Sequence, residues 1–364
     1  MTPLQQLIIE RIQREGPITF AEYMRMALYE PGYGYYVTGP ARMGWEGDYF
    51  TSTDVSNFFA HCMGGQLQQL WEKLRCPKPF VVLEQGAGRG DLTRGVQEWA
   101  DEKSPDFGQA LTGMTEDMRT GQDVRLQAQE SAAPTRPHVI ISNELVDAFP
   151  VHVVEKRDNQ LYEVYVDALS GRLREILDTP NSPQVAEYLD THAIPWQGYQ
   201  DGWRAEINLD AEIWMQQAAQ RLQAGYLLTI DYGEKAKALY TPHRYRGTLT
   251  SYYQHQLTER PLARPGEQDL TAHVNFSGLI AEGRRQGLKL VKYTTQKDWL
   301  EGLGIQEELN ELRASQYAEA DTARASDEGQ IALFRWYNLR QRVATLTDPA
   351  GMGNFKVLLM RKPA

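Results

Sequence analysis

The sequence predicts an α/β fold with a ligand site at the carboxyl ends of its strands, and three observations predict it. The apolar run from Phe80 to Leu83 ends in Glu84 and opens at once into Gly86, Gly88 and Gly90, followed by Asp91. A second short apolar run, Val139 to Ile141, ends in a polar group made of Asn143, Glu144 and Asp147. A third, Tyr226 to Ile230, follows a helical pattern from about Asp210 to Leu222 and ends in Asp231, Tyr232 and Gly233. Strand and helix therefore alternate, and ligands in open sheets of this class bind outside the carboxyl ends of the strands. The glycine turn and the carboxylates after Ser142 then share one rim.

Glycine lets a backbone turn sharply and approach a ligand that a Cβ would push away. A dinucleotide loop is spaced G-x-G-x-x-G and aims a bare helix N-terminus at a pyrophosphate. Here the spacing is G-x-G-x-G, with Glu84 before it and Asp91 after it. Two carboxylates repel a phosphate. They suit a ligand with a cationic amine and a sulfonium, which describes S-adenosylmethionine (SAM). Three glycines alone would serve an ordinary strand-to-helix turn equally well; the second polar strand end tips the balance toward a cofactor. Glu84, Gly86, Gly88, Gly90 and Asn143 are the candidate cofactor residues. Asn143 and Asp147 have an alternative reading as helix caps, whereas Glu144 is a poor N-cap.

Composition narrows the class. With 364 residues the chain can bury a full core as one elaborated domain or two. No apolar run approaches the roughly 18 residues of a membrane span. Leu4, Leu7, Ile8 and Ile12 recur at helical spacing with Glu10 and Glu15 among them, unlike a secretory or transit segment, so a cytoplasmic location is expected. Cys62 and Cys76 are the only cysteines and the seven histidines are scattered, which predicts neither a disulfide framework nor a metal site. A net charge of −10 without a long basic run argues against a broad nucleic-acid surface and favours a basic partner.

Along the chain, Gly16-Pro17 ends the first helix, and the capping box from Thr19 to Glu22 starts a second. Tyr29 to Tyr36 is punctuated by Pro31, Gly32 and Gly34, so its tyrosines, Tyr35 among them, form a packed loop or one wall of a cleft. A polar turn from Gly47 to Asp54 leads into a helix from about Asn57 to Leu74. Alternation from Leu161 to Val166, a turn at Ser170-Gly171 and resumption at Leu173 predict a β-hairpin. Gly225 reads as the stop of the 210–222 helix. The long segment 234–275, with Tyr252, Tyr253, His255, Asp269, Thr271 and His273, lacks periodicity and reads as a functional loop. Then come a helix from Phe276, a strand near Leu288 to Tyr293, a helix near Gly329 to Leu346 and a closing strand from Phe355 to Met360. The expected division is 1–78 as an N-terminal helical region with cleft-lining loops, 79–155 with 206–364 as the cofactor-binding core, and 156–205 as an insertion.

Taken together, the blocks Phe20 to Met24, Tyr29 to Tyr33, Gly47 to Ser52, Glu84 to Gly90, Asn143 to Pro150, Asp231 to Gly233 and Pro265 to Val274 resemble the MidA-like family of SAM-dependent methyltransferases. The resemblance covers nearly the whole chain, and the combination is far more specific than any one block. It implies a class I methyltransferase (Rossmann-like) fold with added N-terminal helices and a β-rich insertion. For the family's mitochondrial members, which are respiratory complex I assembly factors, it implies methylation of an arginine on a complex I subunit. The chain departs from the family after the second strand, where an acidic residue placed for the ribose hydroxyls is usual. Met118, Arg119 and Gln122 match the helix start that follows, but Gly113 stands where the acid is expected, and Glu116 and Asp117 are the nearby substitutes. The family also prefers Pro-Glu where this chain has Thr53-Asp54.

An arginine acceptor is a delocalised cation with donors in a fixed fork, which carboxylates can hold while one nitrogen faces the methyl group. Glu144 and Asp147, three residues apart, share a face if they begin a helical turn, and they are the candidate catalytic residues. Tyr35, Asp269 and His273 are the candidates for substrate binding, with a backbone-bonded buried histidine as the alternative for His273. Three function classes remain open: a protein arginine methyltransferase, a SAM enzyme acting on a small molecule inside a fully closed cleft, and a binding or assembly factor that keeps the fold without turnover.

Overall fold

The computed structural model describes residues 2–38, 52–55, 57–117, 136–253, 256–322 and 327–364. Among these, six strands form the central sheet: β1 (Phe80–Gln85), β2 (Leu111–Glu116), β3 (Val139–Asn143), β4 (Gly225–Asp231), β5 (Lys289–Thr295) and β6 (Lys356–Lys362). Their order is β5-β6-β4-β3-β1-β2. The pairs β1/β2, β1/β3 and β3/β4 are parallel, and β6 runs antiparallel between β4 and β5. The chain steps outward from β1 to β2 and then crosses back to β3 on the other side. That reversal opens a crevice at the carboxyl ends of β1 and β3, where such sheets take their ligands.

The parallel strands are apolar on both faces because helices cover both. Val82, Ile141, Leu228 and Val357 point to one face, packed with Phe58, Met63 and Leu67 of α3 (Asn57–Lys73) and Leu92 and Val96 of α4 (Asp91–Lys103). The alternate residues Leu83, Ile140, Leu227 and Leu358 point to the other, against Trp214 and Met215 of α5 (Leu209–Arg221) and Leu279 and Ile280 of α6 (Phe276–Arg285). The period of two along each strand divides the core into these two layers.

At the N-terminus, α1 (Pro3–Glu15) is capped by Thr2, and α2 (Phe20–Tyr29) by Thr19, whose Oγ1 accepts the Glu22 N–H at 3.1 Å. Both helices pack on an antiparallel sheet through Val153, Val164 and Val166. That sheet is built from His152–Arg157, Gln160–Leu169, Arg172–Asp178 and Arg204–Ile207, with the short strand Ile18–Thr19 added to it. The hairpin expected within 156–205 is present, turning at Ser170 and Gly171, both with positive φ. The insertion therefore does not float: its sheet is completed by the N-terminal segment.

Three expectations need correction. Gly225 does not stop α5, which ends at Arg221 with Leu222 as its cap; it begins β4 at φ +146°, where a Cβ would sit 1.9 Å from the His138 carbonyl oxygen. The segment 234–275 is not one loop, for it holds the strands Thr250–Tyr253, Gln256–Thr258 and Asp269–Thr271 in a three-stranded antiparallel sheet, and Val274–Asn275 pairs with Gly233–Glu234. Those strands are too short to carry a legible period. The helix Ile305–Thr322 was not foreseen either; it precedes the expected last helix, Asp327–Thr347. No helix among the described residues is long and apolar enough to cross a membrane.

Candidate functional site

The glycine turn leaves β1 and enters α4. Gly86, Gly88 and Gly90 have φ of +73°, +58° and +73°, a region that side chains with a Cβ rarely adopt. The alternating spacing thus encodes three left-handed residues at every second position. The turn is stitched to the end of β2: Gly86 and Ala87 both donate their N–H to the Glu116 carbonyl, and Gly88 donates to Asp117 Oδ2 at 2.7 Å. A Cβ on Gly86 would lie 2.8 Å from Leu145 Cδ1, so that glycine also lets the two polar turns pack together.

Glu84, 5% exposed, points back at the start of α4, where its Oε2 accepts from the N–H and hydroxyl of Thr93. Burial pushes its carboxyl up to about 7. In this geometry Glu84 ties strand, glycine turn and helix together. Gly113 lies in mid-strand opposite Val82, where a Cβ would meet Thr93 Cγ2 at 2.5 Å, so the missing acid is not there. The strand runs three residues further. Glu116 takes a two-nitrogen grip from Arg221 at 2.5 and 2.6 Å and accepts from Gln85, while Asp117 holds the glycine turn. Met118, Arg119 and Gln122 lie outside the described residues.

The second turn follows β3. Asn143 is the strand's last residue, and Glu144 sits at φ +50°, a strained position for a residue with a side chain. Glu144 Oε1 accepts the Ser52 N–H at 2.7 Å and the Asn143 amide at 3.1 Å, and burial pushes its carboxyl up to about 8. Asp147, 5% exposed, lies in the short 3₁₀ turn Val146–Ala148. Its Oδ2 accepts from the Tyr232 hydroxyl at 2.5 Å, and Asp231 Oδ2 accepts the N–H groups of Val146 and Asp147. Burial raises both aspartates, and the Asp147 charge further opposes ionisation of Asp231. The regular helical turn expected at Glu144 and Asp147 is absent: Glu144 is a left-handed residue tied to Ser52, and Asp147 lies in a single 3₁₀ turn tied to Tyr232.

Neighbouring segments close around this turn. The Tyr29 hydroxyl donates to the Ala148 carbonyl at 2.9 Å, and Ala272 donates its N–H to the Asp147 carbonyl. Asp269, buried, accepts from the Tyr36 hydroxyl at 2.9 Å, so the tyrosine loop and the 234–275 segment do meet. Tyr35 is not a cleft wall: at 1% exposure it belongs to the core beneath α2, its ring edge-on to Tyr36 at 5.2 Å. His273 stands edge-on to the Tyr232 ring at 5.3 Å, with Arg244 3.4 Å from its Nδ1; burial first, then the Arg244 charge, lower its pKa to about 4. At neutral pH it is an uncharged imidazole.

Asp231, Tyr232 and Ser52 belong to this site although they are not among the sequence candidates. The sequence signal for Asp231 and Tyr232 is their place at a strand's carboxyl end. Ser52 is the described end of the 47–54 turn; residues 47–51 and the side chains of Thr53 and Asp54 lie outside the described residues, as does His255.

The rim offers acceptors to a ligand. Asn143 Oδ1 and Asp147 Oδ1 are buried without a hydrogen-bond partner among the described residues, a costly state unless a donor arrives. Beside them lies the glycine turn, whose middle and last glycines carry no side chain to hold a ligand off. A ligand with a cationic amine and sulfonium fits this donor-poor, carboxylate-rich rim, and a pyrophosphate does not.

Comparison with known proteins agrees. Residues 62–294 match the family described as "Putative S-adenosyl-L-methionine-dependent methyltransferase". The mitochondrial protein arginine methyltransferase NDUFAF7 homolog of Drosophila melanogaster is 28% identical over 392 residues, spanning 96% of this chain and 83% of its own. The mitochondrial protein arginine methyltransferase NDUFAF7 of Rattus norvegicus is 28% identical over 356 residues, spanning 86% and 76%. A crystal structure from Burkholderia thailandensis, bound to S-adenosyl-homocysteine, superposes with a TM-score of 0.82 at 26% identity over 99% of this chain and 92% of that one. A Rossmann-like sheet, a glycine turn with three left-handed residues and a match over most of the core together place the chain in the MidA-like family of SAM-dependent methyltransferases.

Proposed function

We propose that the chain transfers a methyl group from SAM to the guanidinium of an arginine on a protein substrate. The observation that carries this reading is the pair of carboxyls at one rim, Glu144 and Asp147, with Asp147 Oδ1 buried and awaiting a donor. A guanidinium supplies several N–H donors and a charge that would draw both raised carboxyls into their ionised form. The names of the relatives, protein arginine methyltransferases at 28% identity, support the same acceptor.

SAM, when bound, supplies an electrophilic methyl group, so the protein has to align the acceptor and exclude water. Asn143 and the Gly86–Gly90 backbone are placed to hold the cofactor. Asp147 and Glu144 orient the guanidinium, and either carboxylate can take the proton its nitrogen gives up as the new N–C bond forms. Tyr36, Asp269 and His273 line the approach for the acceptor chain. In this reading the enzyme works in the cytoplasm on a protein with an accessible arginine, and a respiratory complex I subunit is the partner that the family resemblance implies.

The test is methyl-label transfer from SAM to a proteome lacking this protein, followed by hydrolysis and amino-acid analysis of the labelled band. Methylarginine is the expected product. Label on lysine or glutamine, or on a small molecule alone, would overturn the assignment.

A further inference from the structure

The last residue of β4 and the one after it grip Asp147 at two points. Asp231 Oδ2 accepts the backbone N–H groups of Val146 and Asp147 at 2.9 and 3.3 Å, which fixes where the Asp147 backbone sits. The Tyr232 hydroxyl donates to Asp147 Oδ2 at 2.5 Å, which fixes the rotation of the carboxyl group. Tyr232 is itself held, edge-on to His273 at 5.3 Å and tilted on Phe355 at 5.4 Å, and its N–H is taken by Asp231 Oδ1 at 2.9 Å. With Oδ2 committed, Oδ1 is the oxygen left over, and it is the buried one without a partner among the described residues.

We propose that Tyr232 is a positioning residue for the methyl acceptor: it turns Asp147 so that Oδ1, not Oδ2, faces the acceptor cation. The inference rests on the reading of Asp147 as a holder of the guanidinium. Its chemical consequence follows from the neighbours. Burial pushes the Asp147 carboxyl toward its protonated form, and His273, kept neutral beside Arg244, offers no compensating charge. The tyrosine hydroxyl is the side-chain donor that stabilises the carboxylate against that burial. Removing it frees the carboxyl to rotate and favours its protonated form, and both effects weaken a cation's hold.

The experiment measures calorimetric binding of acetyl-arginine-amide to the protein loaded with S-adenosylhomocysteine, over about pH 5.5 to 9. Wild-type affinity falls on the acid side as the carboxyls take up protons. Tyr232→Phe is expected to weaken binding about tenfold at neutral pH and to move the acid-side fall up by about one pH unit, the loss of one hydrogen bond to a charged group. S-adenosylhomocysteine affinity stays within about twofold, because no contact of that turn is touched. In an Asp147→Asn background the same change costs less than about twofold. Replacing Tyr232 with 3-fluorotyrosine, a stronger donor of the same shape, moves the fall to lower pH and keeps the test alive should the phenylalanine variant not fold. An unmoved pH profile, or an equal loss in both backgrounds, overturns the positioning role while the acceptor reading stands. Normal probe binding by Asp147→Asn overturns that reading and this inference with it.

Discussion

The Gly88 N–H donates to Asp117 Oδ2 at 2.7 Å, so the middle residue of the glycine turn is held by the first residue after β2. One acid thereby links the glycine turn after β1 to the strand whose carboxyl end lies beside it.

This relationship makes Gly88 sensitive in two ways. At φ +58° a β-branched residue pays about 1–2 kcal/mol of backbone strain, and it adds bulk to the turn proposed to take the cofactor. Gly88→Val is expected to abolish S-adenosylhomocysteine binding by calorimetry while the far-UV spectrum stays near native. Normal binding would place the cofactor elsewhere.

Much of this site was legible because its signals are local. Three glycines at alternate positions state a backbone requirement that no neighbour needs to complete, and the polar ends after β1, β3 and β4 fall on one rim once the sheet is parallel. What could not be read depends on partners distant in sequence. Tyr35 and Tyr36 are adjacent, yet one is core and the other meets Asp269, and nothing in their order says which. Glu84 faces Thr93 rather than open space because α4 begins where it does. The strands within 234–275 escaped for a different reason: at three or four residues each, they hold their shape by pairing with one another, not by a pattern of their own.

The Tyr36 to Asp269 hydrogen bond joins the tyrosine loop to the 234–275 segment, the two segments proposed to flank the acceptor. Asp269→Asn keeps the shape but replaces one carboxyl oxygen with an NH2 group, which cannot accept, and leaves the Tyr36 hydroxyl only an amide oxygen to bond. Acceptor affinity should fall about threefold to tenfold, with S-adenosylhomocysteine affinity within about twofold. Equal losses of both would mean that Asp269 holds the fold as a whole.

Stability should depend on pH through the buried carboxyls. Glu84 and Glu144 are raised from 4.5 to about 7 and about 8, so the folded chain binds protons that the unfolded chain has released. The stability they contribute is full below pH 4.5 and is lost as pH rises through 7 and 8. His273 works the other way: lowered from 6.5 to about 4, it favours the folded state above 6.5, and that contribution is lost as pH falls toward 4. From about pH 8.5 down to 6.5 the carboxyls act alone, and thermal stability should rise. Glu84→Gln still accepts from Thr93 without a buried charge, so it should flatten this slope and stabilise the protein above pH 7 by on the order of 1–3 kcal/mol. A slope that is unchanged in the variant would show that Glu84 is ionised throughout.

Glu144 tests the chemistry most directly. It is held at φ +50° by the β3 to β4 register, with its N–H on the Ile230 carbonyl and its Oε1 on Ser52 and Asn143. Gln has the same shape and can keep the Ser52 bond through its carbonyl oxygen, so Glu144→Gln should fold and bind S-adenosylhomocysteine as wild type does. It cannot give a guanidinium an anionic partner or take up its proton, so methyl transfer to protein arginine should fall about tenfold to a hundredfold. The residual activity should also lose the part of its pH dependence near 8 that belongs to this carboxyl. Single-turnover transfer at saturating SAM, followed over pH, separates the outcomes: a lower rate with unchanged cofactor affinity assigns Glu144 to the acceptor, a matching loss of cofactor affinity assigns it to SAM, and an unimpaired variant removes it from the site.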